Sequence, residues 1–170
     1  MKKIVLQSLS VFFLMTVITG VIYPLFITLI GQAAFPKQAN GSLIVKNGKV
    51  IGSELLGQNF LDNTYFQSRP SAINYNPVPS GASNLGLSST LLKEQVNDRK
   101  LKFRKNNFLN DSVSVPSEML FASGSGVDPH ISIEAAKLQI NRIIKSRNLN
   151  TDKSKLLNNL VDSLSEYPQF

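Results

Sequence analysis

The sequence predicts an α+β protein, with a single N-terminal transmembrane helix followed by one mixed α+β soluble domain. Three observations carry that prediction. Residues 4–30 form an uncharged, mostly apolar run of 27 positions. An Asn47-Gly48 pair separates two short β-branched segments, and two helical stripes of apolar residues lie between residues 132 and 164. Water disfavours the first feature, while the other two must bury their apolar faces in a common core.

As a helix the apolar run would extend about 40 Å, more than the roughly 30 Å hydrocarbon core of a bilayer. It can therefore cross once, with tilt. A cleaved export signal competes with this reading, because Lys2 and Lys3 make a basic start and Gly31 and Ala33 are small. Length opposes it, since the apolar stretch of such a signal is only about 7 to 15 residues. Lys2, Lys3 and the terminal amine precede the span, whereas Lys37 alone follows it closely. That asymmetry predicts a cytoplasmic N-terminus and places the remainder outside. The expected organisation is an anchor at residues 1–33, a linker at 34–41 and an extracytoplasmic α+β domain at 42–170. Within the span, Ser8, Thr16, Gly20 and Pro24 share roughly one face, where small residues let another helix approach closely.

Beyond the span the chain has the size of one ordinary domain. It carries sixteen basic residues against eleven acids. The excess is spread out except at Arg99, Lys100, Lys102, Arg104 and Lys105. That cluster could meet lipid phosphates or an acidic partner, although a solvated helix end explains it as well. A nucleic-acid partner is not expected of an exported domain with so little aromatic interleaving. The chain has no cysteine, which fits either redox compartment.

Gly31 and Pro36 punctuate the end of the anchor. Leu43-Ile44-Val45 and Val50-Ile51 flank Lys46-Asn47-Gly48-Lys49, a hairpin pattern, because Asn-Gly supplies the two positive φ angles of a type I′ turn. Tyr65 and Phe66 are expected in the core. Residues 69–89 are rich in Pro, Gly, Asn and Ser and form a long loop, pinned by Tyr75, Val78 and Leu85. Ser88, Ser89 or Thr90 caps a helix bearing Leu91, Leu92 and Val96. Residues 113–120, interrupted by Pro116, suggest a strand edge and a turn. Ser132 caps a helix with Ile133, Ala136, Ile140, Ile143 and Ile144 on one face. Thr151 or Asp152 caps the next, with Leu156, Leu157, Leu160, Val161 and Leu164. Packing both stripes against a small sheet is the simplest way to bury them.

His130 is the only histidine, so no histidine metal cluster and no Cys/His pair can be built. A Ser-His-Asp set with Asp128 and His130 is formally possible, but a structural histidine at a helix entrance is the plainer account. No Walker-type loop or paired carboxylates occur, which opposes an independent ATPase or glycosidase. The sharpest local feature is ASGSGVDPHIS at residues 122–132, leading into a capped helix. Its glycines permit tight curvature, and Ser and Asp can bond nearby backbone. It is either a rigid positioning loop or an anion cradle of loop and helix N–H groups.

Together with YFQSRPSA at residues 65–72 and PSGASNLGLSS at residues 79–89, that string resembles the C subunit of the Kdp-type potassium-transporting ATPase. The resemblance extends to the N-terminal span, Gly41 to Ile44, Ile51-Gly52-Ser53, Gly57-Gln58, Phe60 and the Ala135-Ala136 to Gln139-Ile140-Asn141-Arg142 helix. It implies a single-pass, non-catalytic subunit of a cell-membrane complex. A potassium-channel-like subunit and a P-type ATPase subunit would be its partners, beside membrane lipid, and the face of Ser8, Thr16, Gly20 and Pro24 would pack on one of them. It also implies a catalytic chaperone that raises the ATP affinity of the pump subunit. Ser80, Gly81, Ser83 and Asn84 then match a nucleotide-related element, in which Ala82 replaces a second glycine. Arg69, Ser71, Ser123, Gly124, Ser125, Gly126, Asp128, Pro129 and His130 are the other motif-loop residues. No stably bound cofactor or metal is expected; ATP enters only through the resemblance, and partner subunits handle potassium. Where the family usually continues into an apolar closing segment, this chain ends at Tyr167-Pro168-Gln169-Phe170, truncated or divergent. A domain outside the membrane could influence cytoplasmic ATP only by coupling through the complex. The alternatives are a cell-envelope scaffold without a transport partner, or an exported serine hydrolase using His130.

Overall fold

The computed structural model describes residues 2–166, which fall into two compact units, one running up to Glu54 and the other from Leu55 onward. The ending at residues 167–170 lies outside the described residues.

The first unit is led by a helix in two parts, α1 (Lys2–Val17) and α2 (Tyr23–Ala34), joined by a π-helical turn at Ile18–Ile22. Pro24 explains the joint. It has no N–H to offer the Gly20 carbonyl, and its ring would collide with that group. The turn widens instead, and the Tyr23 amide reaches back to the Ile18 carbonyl. The whole helix, Lys2–Ala34, has a mean hydropathy of 2.2 in its most apolar window and none of that window is buried, which makes it a candidate membrane span. Ser8, Ser10, Thr16, Thr19 and Thr28 each donate to the carbonyl four residues back, at 2.7–3.0 Å, so none of these five hydroxyls needs a polar partner from outside.

The segment expected as a linker is ordered. Pro36–Ala39 forms a short helix, α3. Paired amide bonds between Gln32 and Asn40 hold it against the end of α2. The hairpin follows, with β1 (Leu43–Lys46) antiparallel to β2 (Lys49–Ser53). Asn47 and Gly48 have φ of 52° and 74°, the pair of left-handed angles the type I′ turn requires. A Lys37–Glu54 ion pair at 2.7 Å and the Ser53 hydroxyl on the Gly41 carbonyl at 2.7 Å close the base of the hairpin.

The second unit is helix and loop. Its elements are α4 (Thr90–Asn106), a 3-10 turn at Ser117–Met119, α5 (Ile133–Arg147) and α6 (Thr151–Ser163). Ser89 and Ser132 cap α4 and α5 as expected from sequence. Asn150, not Thr151 or Asp152, caps α6: it keeps an extended backbone, and its side-chain oxygen takes the Lys153 amide at 3.0 Å. The strand edge expected in residues 113–120 is absent, because Pro116 leads into the 3-10 turn instead. Phe103, Val115, Met119 and Ala135 form the core cluster.

The two stripes fare differently from the expectation that a sheet would bury both. On α5 the buried face is centred on Ala135, Gln139, Ile140, Arg142 and Ile143, with Ile133 left exposed. On α6 no residue is buried, and Leu156 and Leu164 remain 67% and 72% exposed. Val78 is exposed too and pins nothing; Tyr75 does, through its hydroxyl on the Arg69 carbonyl at 2.7 Å. Tyr65 lies half exposed beside Phe60 rather than in the core, with the Arg147 guanidinium over its ring.

Candidate functional site

All three motif segments of the second unit meet at residues 122–132. The Ser123 amide donates to the Pro70 carbonyl at 3.0 Å, and the Ser125 carbonyl accepts from the Gly81 amide at 3.2 Å. The Val127 carbonyl accepts from Gly57 at 2.6 Å. One loop thus holds three others by main-chain bonds. Gly126 makes the crossing possible: its φ is +73°, and a Cβ there would stand 2.4 Å from Ile73 Cγ1 and 2.8 Å from the Gly81 carbonyl oxygen. Ser71 shapes the neighbouring turn by accepting the amides of Ile73 and Tyr75 at 3.1 and 2.8 Å.

Arg69 and Asp128 form an ion pair at 2.8 Å across the hub. The other Asp128 oxygen accepts the His130 amide at 3.0 Å and lies 3.1 Å from His130 Nδ1. Burial works against the Asp128 carboxylate, but the bonds from His130 and the Arg69 guanidinium outweigh it and hold its pKa below the usual value. A depressed folded pKa adds stability that is present above about pH 4 and lost as pH falls through the folded value. Asp128→Asn is therefore expected to unfold at lower urea than the wild type at pH 7, with the gap narrowing at pH 3. A gap of the same size at both pH values would refute the linkage.

The chemical capacity of this hub is limited. The amides of Ser123, Gly126, Val127 and His130 all have acceptors within the protein, and so does Gly81. With those donors committed within the chain, the loop fits a rigid positioner of α5 better than an anion cradle. His130 is 82% exposed. Among the described residues no hydrogen bond joins a serine to its ring; Ser125 takes the Val127 amide, Ser132 caps α5, and the Ser123 hydroxyl is buried without a partner. Among the described residues no cluster of His, Asp or Glu could hold a metal ion. Of the nucleotide-related residues, Ser80 and Asn84 are exposed, Gly81 and Ser83 are partly buried, and Asn84 has a φ of 52°. In the span, the widened turn adds about one residue, or roughly 100° of phase. Thr16 and Pro24 thereby align on one side within roughly 20°, with Gly20 in the turn between them and Ser8 roughly 80° away.

Two polar side chains of α5 form a further anchor next to the hub. Gln139 on α5 accepts the Gln67 amide at 2.8 Å and donates to the Gln67 carbonyl at 3.1 Å, as a neighbouring strand would. Arg142, one turn on, donates to the carbonyls of Asn63 and Tyr65, to Asn107 and to Gln139 itself. The recoverable trace was a Gln and an Arg three apart, within an otherwise apolar face.

Residues 5–170 match the family described as K+-transporting ATPase, c chain. A potassium-transporting ATPase KdpC subunit from Shigella dysenteriae serotype 1 is 46% identical over 164 residues, covering 95% of this chain and 84% of the relative. Its counterpart in Escherichia coli O157:H7 is also 46% identical, with the same coverage. The one from Leptospira interrogans is 41% identical over 96% of this chain and 84% of its own. The hub strings lie within the matched residues 5–170, and with a match of that extent the chain belongs to the family of the potassium-transporting ATPase C chain.

Proposed function

We propose that this chain is a membrane-anchored accessory subunit of an ATP-driven potassium uptake complex. The observation that carries the proposal is the family match across residues 5–170, which includes the candidate span as well as the loop hub. The relatives are named as subunits of a potassium-transporting ATPase. Ion selectivity needs a ring of carbonyls or charges around a pore, and one uncharged helix offers neither. Those atoms therefore belong to a potassium-channel-like partner, and ATP hydrolysis belongs to a P-type ATPase partner.

In this arrangement the N-terminus is cytoplasmic, the helix packs on a partner through Thr16, Gly20 and Pro24, and the folded part outside clamps the channel-like subunit. Gly20 suits such a contact because a Cβ built there meets nothing of its own chain within 4 Å. Co-purification from mild detergent tests the proposal. Wild type should bring down potassium-stimulated ATPase activity, and Gly20→Leu should lose most of it without unfolding. If wild type brings down no such activity, the chain is an envelope scaffold instead; undiminished recovery with Gly20→Leu would make the span a mere tether.

Raising the ATP affinity of the pump subunit is the second part of the proposed role. From outside the membrane it would act as a coupling free energy passed through the complex. A cysteine introduced at Ser83 should be labelled by an impermeant reagent from the outer side. Labelling from the cytoplasmic side alone would bring direct contact with ATP back into play.

A further inference from the structure

A cleft of about 260 Å³ opens beside α4 in the second unit. Its lining includes Arg99 and Lys102, and it contains neither Asp nor Glu. The sequence showed these two cations only as part of a basic cluster, yet the structure divides that cluster. Arg104 turns to the Val113 carbonyl at 2.7 Å, whereas Arg99 and Lys102 stand in the wall of the cleft.

The donors there outnumber their acceptors. Arg99 sends one N–H to the Leu120 carbonyl at 2.9 Å and one to Gln95 at 3.4 Å, which leaves others of its five uncommitted. Its position is fixed by those two bonds, and burial draws its pKa down, with the Tyr75 oxygen opposing. Among the described residues, no hydrogen bond or ion pair engages the side chain of Lys102 or of Asn106. The Ser68 hydroxyl is buried with no partner at all. Phe60 and Tyr75 add aromatic surface to the same wall. Unpaired cations and neutral donors around an acid-free hollow are electrostatically complementary to an anion.

We propose that this cleft binds the oxyanion group of a small soluble ligand, a carboxylate or a phosphate. Arg99 and Lys102 supply the opposing charge, Asn106 donates a hydrogen bond, and the rings of Phe60 and Tyr75 cover the apolar part of the ligand. The site adjoins the loop hub, sharing Pro70 and Tyr75 with it, but its charged groups come from α4, and it does not depend on assembly into a complex.

The test is a titration of the ¹⁵N-labelled full chain in detergent with sodium phosphate and with sodium acetate, against chloride at constant ionic strength. At least one oxyanion should produce saturable amide shifts at residues 99–106 and at Ser68; which one does so identifies the group. Because Lys102 holds nothing else in place, Lys102→Gln should keep the spectrum of the folded protein and weaken binding about fivefold or more. Asn106→Asp, which puts a carboxylate into the cleft, should abolish it. Shifts that never saturate, that chloride reproduces, or that survive Lys102→Gln at unchanged affinity would overturn the assignment.

Discussion

Arg142→Ala is expected to cost about 3–5 kcal/mol, a large share of the stability of any domain of this size. The side chain is 1% exposed, and none of its acceptors is a carboxylate. Its charge is instead dispersed over two main-chain carbonyls and the side-chain oxygens of Asn107 and Gln139, at 2.9 Å each for the latter two. Removing the guanidinium strips a donor from the buried Asn107 oxygen and from the partly buried Asn63 and Tyr65 carbonyls, at roughly 1–3 kcal/mol for each that water cannot reach, and opens a cavity as well. Gln139 suffers least, because the Gln67 amide still reaches it. Burial pulls the Arg142 pKa down from its ordinary value, but an arginine stays charged at any pH of interest, so the loss should not vary between pH 6 and 8. Arg142→Lys keeps the charge but not the planar fork and should fall between the two. Urea unfolding of the full chain, followed by far-ultraviolet circular dichroism, measures all three. Proteolysis near residues 63–67 should accelerate first, since Arg142 holds that segment. A midpoint for Arg142→Ala equal to that of the wild type would mean the network is not a keystone.

Arg142 also shows where sequence reasoning stopped. Its carbonyl partners lie 77 and 79 residues away, and a main-chain oxygen leaves no mark on residue type. Local features were legible for the opposite reason. Asn47-Gly48, Ser89 and Ser132 each act on backbone within three residues, and the apolar run needs no partner to be recognised. The stripe of α6 marks the limit of periodicity. Leu156, Leu160 and Leu164 say which side of the helix is apolar, not that anything within the chain covers it. At the hub, three strings were noticed separately, yet their convergence on residues 122–132 is written in amide-to-carbonyl bonds. Only the glycines betray it, since Gly57 and Gly126 stand where another segment passes close by. The Arg69–Asp128 pair spans 59 residues and joins two of those strings, but a basic and an acidic residue in separate loops imply no contact by themselves.

Gly126→Ala is expected to destabilise the protein by about 2–4 kcal/mol, and the loss has two separable sources. The backbone there has φ of +73°, which costs an L-residue about 1–2 kcal/mol. The new methyl would also stand 2.4 and 2.7 Å from two carbons of Ile73, and such overpacking adds about 1–3 kcal/mol. The second source can be withdrawn. Ile73→Ala removes both colliding carbons, so the double variant should lose less than the sum of the singles, and that coupling isolates the collision. The φ cost and the contact with the Gly81 carbonyl at 2.8 Å remain, so rescue should be partial. Gly81→Ala and Gly124→Ala serve as controls. At neither position does a Cβ meet anything within 4 Å, and neither φ is left-handed, so both should stay within about 0.5 kcal/mol of wild type. This ordering has a functional corollary. If the hub positions the loops that carry the family motif, Gly126→Ala should weaken recovery of the ATPase partners, while Gly124→Ala, a neighbour in the same string, should not. Equal effects of the two would mean that the glycines matter for the string's own flexibility, and not for the crossing of residues 73–81 that only Gly126 permits.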